Sequence, residues 1–157
     1  KVHNALEQYN IDRTEPDEDD EVLPWFKEYQ PWFDQNITKV HQAETVLVNQ
    51  QYGYAGTVDL VADHNLWGKC VIDFKTQGVK RKARFYETWI YQLAAYQQCI
   101  EGDPKCLSLV IDSKAPSEPV EKLWTKGEVE EGWAIFKLSN ELYQKTKNYK
   151  PPVKEVF

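Results

Sequence analysis

The sequence predicts an α/β sandwich, a single domain spanning residues 1–157 with helices flanking one mixed sheet. Three observations carry this. Residues 45–49, a run opening at Tyr54 and carrying Asp59, and residues 69–76 are of strand length and joined by short turns, which makes an antiparallel meander. Residues 85–100 follow with Phe85, Trp89, Leu93, Tyr96 and Ile100 on one apolar helical stripe. Strands at 107–111 and 120–125 and a helix at 128–149 complete the order helix, three strands, helix, two strands, helix. A chain of 157 residues can bury a real core, and its 6 Trp, 9 Tyr and 6 Phe supply large apolar areas for it.

The elements can be justified in turn. Val2, Leu6 and Tyr9 fall at helical spacing with Ala5 on the same side, and His3 lies on the adjoining face one turn before Glu7. Residues 15–21 (EPDEDDE) are a dense acidic run with a proline, read as a solvated loop; the alternating ligands around a glycine that a calcium loop needs are missing. The triplet Pro24-Trp25-Phe26 recurs as Pro31-Trp32-Phe33, a helix packing its aromatics on the core or, alternatively, a base-stacking platform. Glu44 stands at the mouth of the first strand, and Gly56 inside the second marks a bulge or a close backbone approach. Asn65 and Gly68 flank the next turn. Residues 77–84 (QGVKRKAR) hold Lys80, Arg81, Lys82 and Arg84, a solvated loop or a phosphate contact. Residues 113–119 turn the chain with two prolines. The final helix counts Val129, Trp133, Phe136 and Leu142 among its apolar positions. Glu128, Glu130 and Glu131 favour its start, Lys145, Lys147 and Lys150 its end, and Pro151 and Pro152 stop it.

Composition narrows the function classes. No apolar run reaches the length of a membrane span, and no signal peptide is visible, so no membrane association is expected. Cys70, Cys99 and Cys106 form an odd set without CxxC spacing, which argues against zinc or a disulfide framework and for an intracellular, reducing compartment, cytoplasmic or host-cell cytoplasm. A net charge of −6 disfavours a protein that coats nucleic acid non-specifically but leaves room for a nuclease, since local basic patches grip phosphates. The chain opens at Lys1 without a methionine and inside a helical run, so some native N-terminal sequence, with any localisation signal, is expected to precede it.

The chemistry concentrates in Gly56-Thr57-Val58-Asp59-Leu60 and Val71-Ile72-Asp73-Phe74-Lys75-Thr76. Side chains alternate along a strand, so Asp73 and Lys75 share a face and Phe74 takes the other. A hairpin across 63–69 would bring Asp59 beside Asp73. Two carboxylates and an ammonium then converge among apolar neighbours, which is costly unless something pairs them, and a divalent metal would. A surface hairpin with a salt bridge is the plainer alternative.

Four pieces in order resemble the PD-(D/E)XK nuclease superfamily and, within it, its RecB-like exonuclease branch. Val2-His3 at the head of the first helix is similar to the branch's histidine motif, and Gly56-Thr57-Val58-Asp59 to its G-T-x-D strand. Asp73-Phe74-Lys75-Thr76 is similar to its D-x-K-T strand, and Gln92-Leu93-Ala94-Ala95-Tyr96 to its Q-x-x-x-Y helix. Together they span residues 2–96. The resemblance implies a restriction-endonuclease-like α/β sandwich and a Mg²⁺- or Mn²⁺-dependent deoxyribonuclease, most simply an exonuclease of recombination, repair or phage DNA processing acting on DNA ends. A recombination or replication protein is a partner it allows.

By that resemblance Asp59, Asp73, His3 and the Phe74 carbonyl hold the metal, with Glu44 as an additional ligand and His41 a weaker candidate. Asp59 and Asp73 are hard oxygen ligands, and the imidazole tilts preference towards Mn²⁺. Lys75 positions the attacking water or stabilises developing charge. Gln92 orients the lysine or the phosphate, and Tyr96 supports the same wall. Thr76 with Lys80, Arg81, Lys82 and Arg84 is placed against the nucleic acid. Some relatives hold an iron–sulfur cluster with four cysteines; three cysteines, none near the C-terminus, predict its absence here. The alternatives are a catalytically silent nucleic-acid- or protein-binding module of the same fold, and a restriction-type endonuclease, for which the chain shows no recognition insertion.

Overall fold

The computed structural model describes residues 1–149. Two helices come first, α1 (Val2–Asp12) and α2 (Leu23–Asn36), then the strands β1 (Ile37–Asn49), β2 (Tyr54–His64) and β3 (Gly68–Gln77). Helix α3 (Glu87–Gln97), strands β4 (Lys105–Asp112) and β5 (Val120–Leu123) and helix α4 (Lys126–Thr146) complete the chain. The five strands lie side by side in sequence order. All neighbours are antiparallel except β3 and β4, which run parallel because α3 carries the chain back between them. The fold is the mixed-sheet α/β sandwich that the sequence predicts.

Each face of the sheet has its own core. Leu6 and Tyr9 of α1 and Phe26, Tyr29, Trp32 and Phe33 of α2 pack on Leu60, Ile72, Phe74, Leu107 and Leu109. On the other face Ile90, Leu93 and Tyr96 of α3 and Val129 of α4 pack on Val58, Val61, Val71 and Cys106. The Pro-Trp-Phe repeat is therefore a core helix. Phe26, Trp32 and Phe33 are buried, and Trp25 donates its indole N–H to the Asp112 carbonyl at 2.6 Å, so a base-stacking platform there is ruled out by burial.

Several element ends differ from expectation for identifiable reasons. β1 begins at Ile37, eight residues before the expected strand, because register shifts between Ile37 and Lys39 and between Val40 and Gln42 break its alternation. Glu44 is accordingly inside β1 rather than at its mouth. α3 is shorter than 85–100, with Tyr86 as its N-cap residue. β5 ends at Leu123, where Trp124 turns inward to donate its indole N–H to Ser108 Oγ at 2.9 Å. α4 starts at Lys126 because Thr125 and Glu128 form a reciprocal capping box, and it ends at Thr146. Leu142 is exposed on its outer side rather than packed. The stop expected at Pro151 and Pro152, and Lys150 with it, lie outside the described residues. No helix among the described residues is long and apolar enough to cross a membrane.

Candidate functional site

The β2–β3 ladder runs from His64 opposite Gly68 to Leu60 opposite Ile72 and ends there. The next position places Asp59 and Asp73 in the gap. Val58 and Val61 pack with α3 and α4 while Leu60 and Ala62 pack with α1 and α2, so the alternation of β2 breaks around Asp59. That break lets the Asp59 carboxylate reach β3, where its Oδ2 accepts the Phe74 N–H at 2.7 Å. A side chain thus replaces the missing ladder bond.

Asp73 is 5 % exposed, and its partner is Lys75. The ammonium donates to Oδ1 at 3.2 Å and lies 2.9 Å from Oδ2, a charge contact outside hydrogen-bonding angles that leaves Oδ2 buried with no hydrogen bond. Burial pushes the Asp73 pKa up to about 6, with Lys75 pulling it down and Asp59 pushing it further up. Lys75 also donates to Gln92 Oε1 at 3.2 Å, and Gln92 Nε2 donates to Tyr96 Oη at 2.8 Å. Helix α3 thus holds the lysine through a relay two side chains long, made possible by the four-residue spacing of Gln92 and Tyr96. Gly56 explains itself here: a Cβ on it would stand 2.7 Å from Tyr96 Cε1 and 3.0 Å from Oη. The glycine is a close approach, not a bulge.

Helix α1 delivers His3 from the other side. Its Nδ1 sits 2.5 Å from Glu7 Oε1, its Nε2 faces Asp59 Oδ2 at 3.9 Å, and its ring meets Phe74 edge-on. Attraction to Asp59, and more weakly to Glu7 and Glu44, raises its pKa against the opposing pull of burial. Glu7 was missed from the sequence as a site residue, though the spacing His3-x-x-x-Glu7 puts both on one side of the helix.

Glu44 is the strained member. It adopts φ 47°, left-handed backbone that a non-glycine residue rarely takes, between Ala43 and Thr45, which pair with Leu60 and Val58 on either side of Asp59. Its Oε1 is buried without a hydrogen-bond partner, and burial first, then Glu7 and Asp59, push its pKa up to about 7. Strain, an orphaned carboxylate oxygen and a neighbouring acid cluster coincide at this residue.

Other expected residues fall elsewhere. His41 pairs with Asp63 at 2.7 Å and takes no part in the acid cluster. Thr76 is exposed at the end of β3, on the side of Phe74 rather than of Lys75, because strand side chains alternate. Lys80, Arg81, Lys82 and Arg84 are exposed in the loop between β3 and α3. Phe74 contributes its ring to the core and its N–H to Asp59.

Among the described residues no group of three or more His, Cys, Asp or Glu side chains is arranged so that it could hold a metal ion. The donors hold protein partners instead: Lys75 for Asp73, the Phe74 N–H for Asp59, Glu7 for His3. The two orphaned carboxylate oxygens, on Asp73 and Glu44, together with a set of hard oxygens and one imidazole, suit a divalent cation in chemistry. Hollows of about 580 and 460 Å³ lie between α4 and the β1–β2 turn and beside the N-terminal end of β4, and neither contains these acids.

No family model matches the sequence, and no curated protein matches it. In fold the chain is similar to the crystal structure of a "putative exonuclease" from Eubacterium rectale, at 9% identity and a TM-score of 0.60, covering 99% of this chain and 70% of that one. What the two share is the α/β fold.

Proposed function

We propose that the chain is a metal-dependent deoxyribonuclease, acting as an exonuclease on DNA ends. The observation that carries this is the Asp59–Asp73–Lys75 cluster in the gap between β2 and β3, with Lys75 held by Gln92. Burying two carboxylates side by side is unfavourable for the fold alone, so the arrangement asks for a ligand of positive charge. Asp59, Asp73, His3 and the Phe74 carbonyl would hold Mg²⁺ or Mn²⁺, with Glu44 as the added oxygen donor. Such an ion supplies Lewis acidity for the phosphate and an acidified water.

The chain's own residues do the rest. Lys75, paired with Asp73 and aimed by Gln92, stabilises the negative charge that builds on the phosphate oxygens or orients the attacking water. Tyr96 fixes the Gln92 amide and so the direction of Lys75. His3, with Nδ1 occupied by Glu7, presents Nε2 towards Asp59. Lys80, Arg81, Lys82 and Arg84 lie on the chain directly after β3, where they can neutralise the backbone of a bound strand.

The test is cleavage of end-labelled single- and double-stranded DNA, blocked in turn at each end, with Mg²⁺, with Mn²⁺ and with EDTA. The expected result is end-dependent cleavage lost in EDTA, in Asp73→Ala and in Lys75→Ala, with both variants still folded by circular dichroism. Full activity in either variant would remove the proposal. Cleavage of circular DNA at the same rate would keep the nuclease and remove the exonuclease.

A further inference from the structure

We infer that Tyr86 and Trp89, at the start of α3, form a shelf on which one unpaired base of single-stranded DNA stacks next to the reacting phosphate. This rests on the nuclease reading above and adds a substrate class to it. Tyr86 is 50 % exposed, and its ring meets Trp89 edge-to-face at 5.2 Å between centroids. Trp89 is half-buried, and Lys75 Nζ lies 5.9 Å from the centre of its ring. Trp89 packs on the edge of the core beneath α3 and adjoins the ammonium assigned to the phosphate, while Tyr86 beside it stands exposed enough to be reached.

Charge agrees with this occupant. Lys80, Arg81, Lys82 and Arg84 immediately precede the shelf, and none of them has an acidic partner within ion-pair distance among the described residues. Four unpaired cations in five residues stand out in a chain of net charge −6. The loop is also held in place. Gln77 Nε2 donates to the Arg84 carbonyl at 2.7 Å, Gln77 Oε1 accepts the Arg84 N–H at 3.1 Å, and Ala83 is buried. The loop backbone is thus closed at both ends, and along the chain its cations lie between Lys75 and the aromatic pair.

Unpaired cations beside an accessible aromatic pair are the two parts that single-strand binding needs: charge for the phosphates and a π-face for a base. Inside a duplex the base faces are covered by their neighbours, so away from the duplex ends only an unpaired or frayed nucleotide can use the shelf.

Binding is measured in EDTA, so that nothing is cut, by fluorescence anisotropy of a labelled oligothymidylate and of a duplex of equal length closed by a hairpin loop at each end. Stacking of one base contributes on the order of 1–3 kcal/mol, so Tyr86→Ala should weaken single-strand binding by roughly 5- to 150-fold. Tyr86→Phe, which keeps the ring, should bind as the wild type does, and duplex binding should not respond to Tyr86→Ala. Wild-type single-strand binding by Tyr86→Ala, or equal losses for both substrates, would overturn the shelf. The two readings separate cleanly. A protein that binds as expected yet cleaves nothing keeps the shelf and loses the nuclease; a nuclease indifferent to Tyr86→Ala does the reverse.

Discussion

Gly56→Ala tests how the sheet and the lysine relay are joined. The added methyl would stand 2.7 Å from Tyr96 Cε1, 3.0 Å from Oη and 3.3 Å from Cζ, whereas carbon atoms settle near 3.5–4.0 Å. Tyr96 is 8 % exposed and packed among Val58, Leu93 and their neighbours, so its ring can retreat by only about 1 Å and at a cost. Overpacking of this kind costs about 1–3 kcal/mol, from which roughly 0.5–1 kcal/mol returns because alanine loses less backbone freedom than glycine in a strand. The net loss is then about 0–2.5 kcal/mol, so at about 2–4 °C per kcal/mol for a domain of this size the melting temperature should fall by up to roughly 10 °C. The functional effect should be larger. A retreating ring takes Oη away from Gln92 Nε2, now at 2.8 Å, and Gln92 then no longer holds Lys75 from the helix side. A misplacement of about 1 Å can cost up to ~100-fold, here in kcat with KM nearly unchanged. Tyr96→Phe removes the same hydrogen bond without the methyl. If both changes act through one relay, their effects on kcat should be strongly non-additive in the double variant. Wild-type kcat in Gly56→Ala, or simple additivity with Tyr96→Phe, would refute the reasoning.

Further outcomes follow from the same gap. In urea unfolding with EDTA, Asp59→Ala should cost about 1–3 kcal/mol because it strands the buried Phe74 N–H, while Asp59→Asn keeps an acceptor and should cost little; equal losses would show that the bond is not what matters. Lys75→Met leaves the 5 %-exposed Asp73 without its cation and should destabilise the protein in EDTA by roughly 3 kcal/mol at alkaline pH, the loss shrinking as pH falls towards 6 because Asp73 takes up its proton more readily without the lysine. Asp73 is raised to about 6 and Glu44 to about 7 from ordinary values of 3.8 and 4.5. For an acid raised on folding, the penalty is absent below the unfolded value and complete above the folded one. Thermal stability in EDTA should therefore fall as pH rises from about 4 to about 7, and Asp73→Asn with Glu44→Gln should flatten that slope. Millimolar Mn²⁺ at pH 8 should raise the melting temperature of the wild type but not of the Asp73→Asn, Glu44→Gln double variant, measured by scanning fluorimetry.

What could be read from the sequence was whatever local periodicity decides. Asp73 and Lys75 share a face because they are two residues apart in a strand, and Gln92 and Tyr96 meet because they are four apart in a helix; neither needs the rest of the fold. The first half of β1 was illegible because two bulges interrupt its alternation and Lys39, His41, Gln42 and Glu44 give it a polar face. His41 and Glu44 look alike in the sequence as acid-site neighbours, yet the register sends one to Asp63 and sets the other across from Asp59. The reason for Gly56 lies forty residues away in the ring of Tyr96, a distance that no local pattern spans. Likewise the second Pro-Trp-Phe triplet and Tyr86–Trp89 are both aromatic pairs on helices, and only burial separates a core helix from an accessible shelf.

The gap between β2 and β3 is where stability and chemistry make opposite demands. Extending the ladder by one rung would set two carboxylates directly opposite each other, which sheets disfavour. The fold meets this by ending the β2–β3 ladder at Leu60 and Ile72 while β3 stays paired with β4 as far as Gln77 opposite Asp112. The parallel neighbour keeps β3 paired through the region that its antiparallel neighbour has released. Asp59 then recovers one of the lost backbone bonds, and Lys75 offsets the charge on Asp73. What remains unbalanced is small and localised: one buried oxygen on Glu44 without a donor, and one on Asp73 that meets the Lys75 ammonium at 2.9 Å only outside hydrogen-bonding angles. The sandwich can bear that residue of unfavourable energy because each face of the sheet has its own aromatic-rich core. An unmet need for positive charge, kept where two strands part, is the physical property from which the proposed chemistry starts.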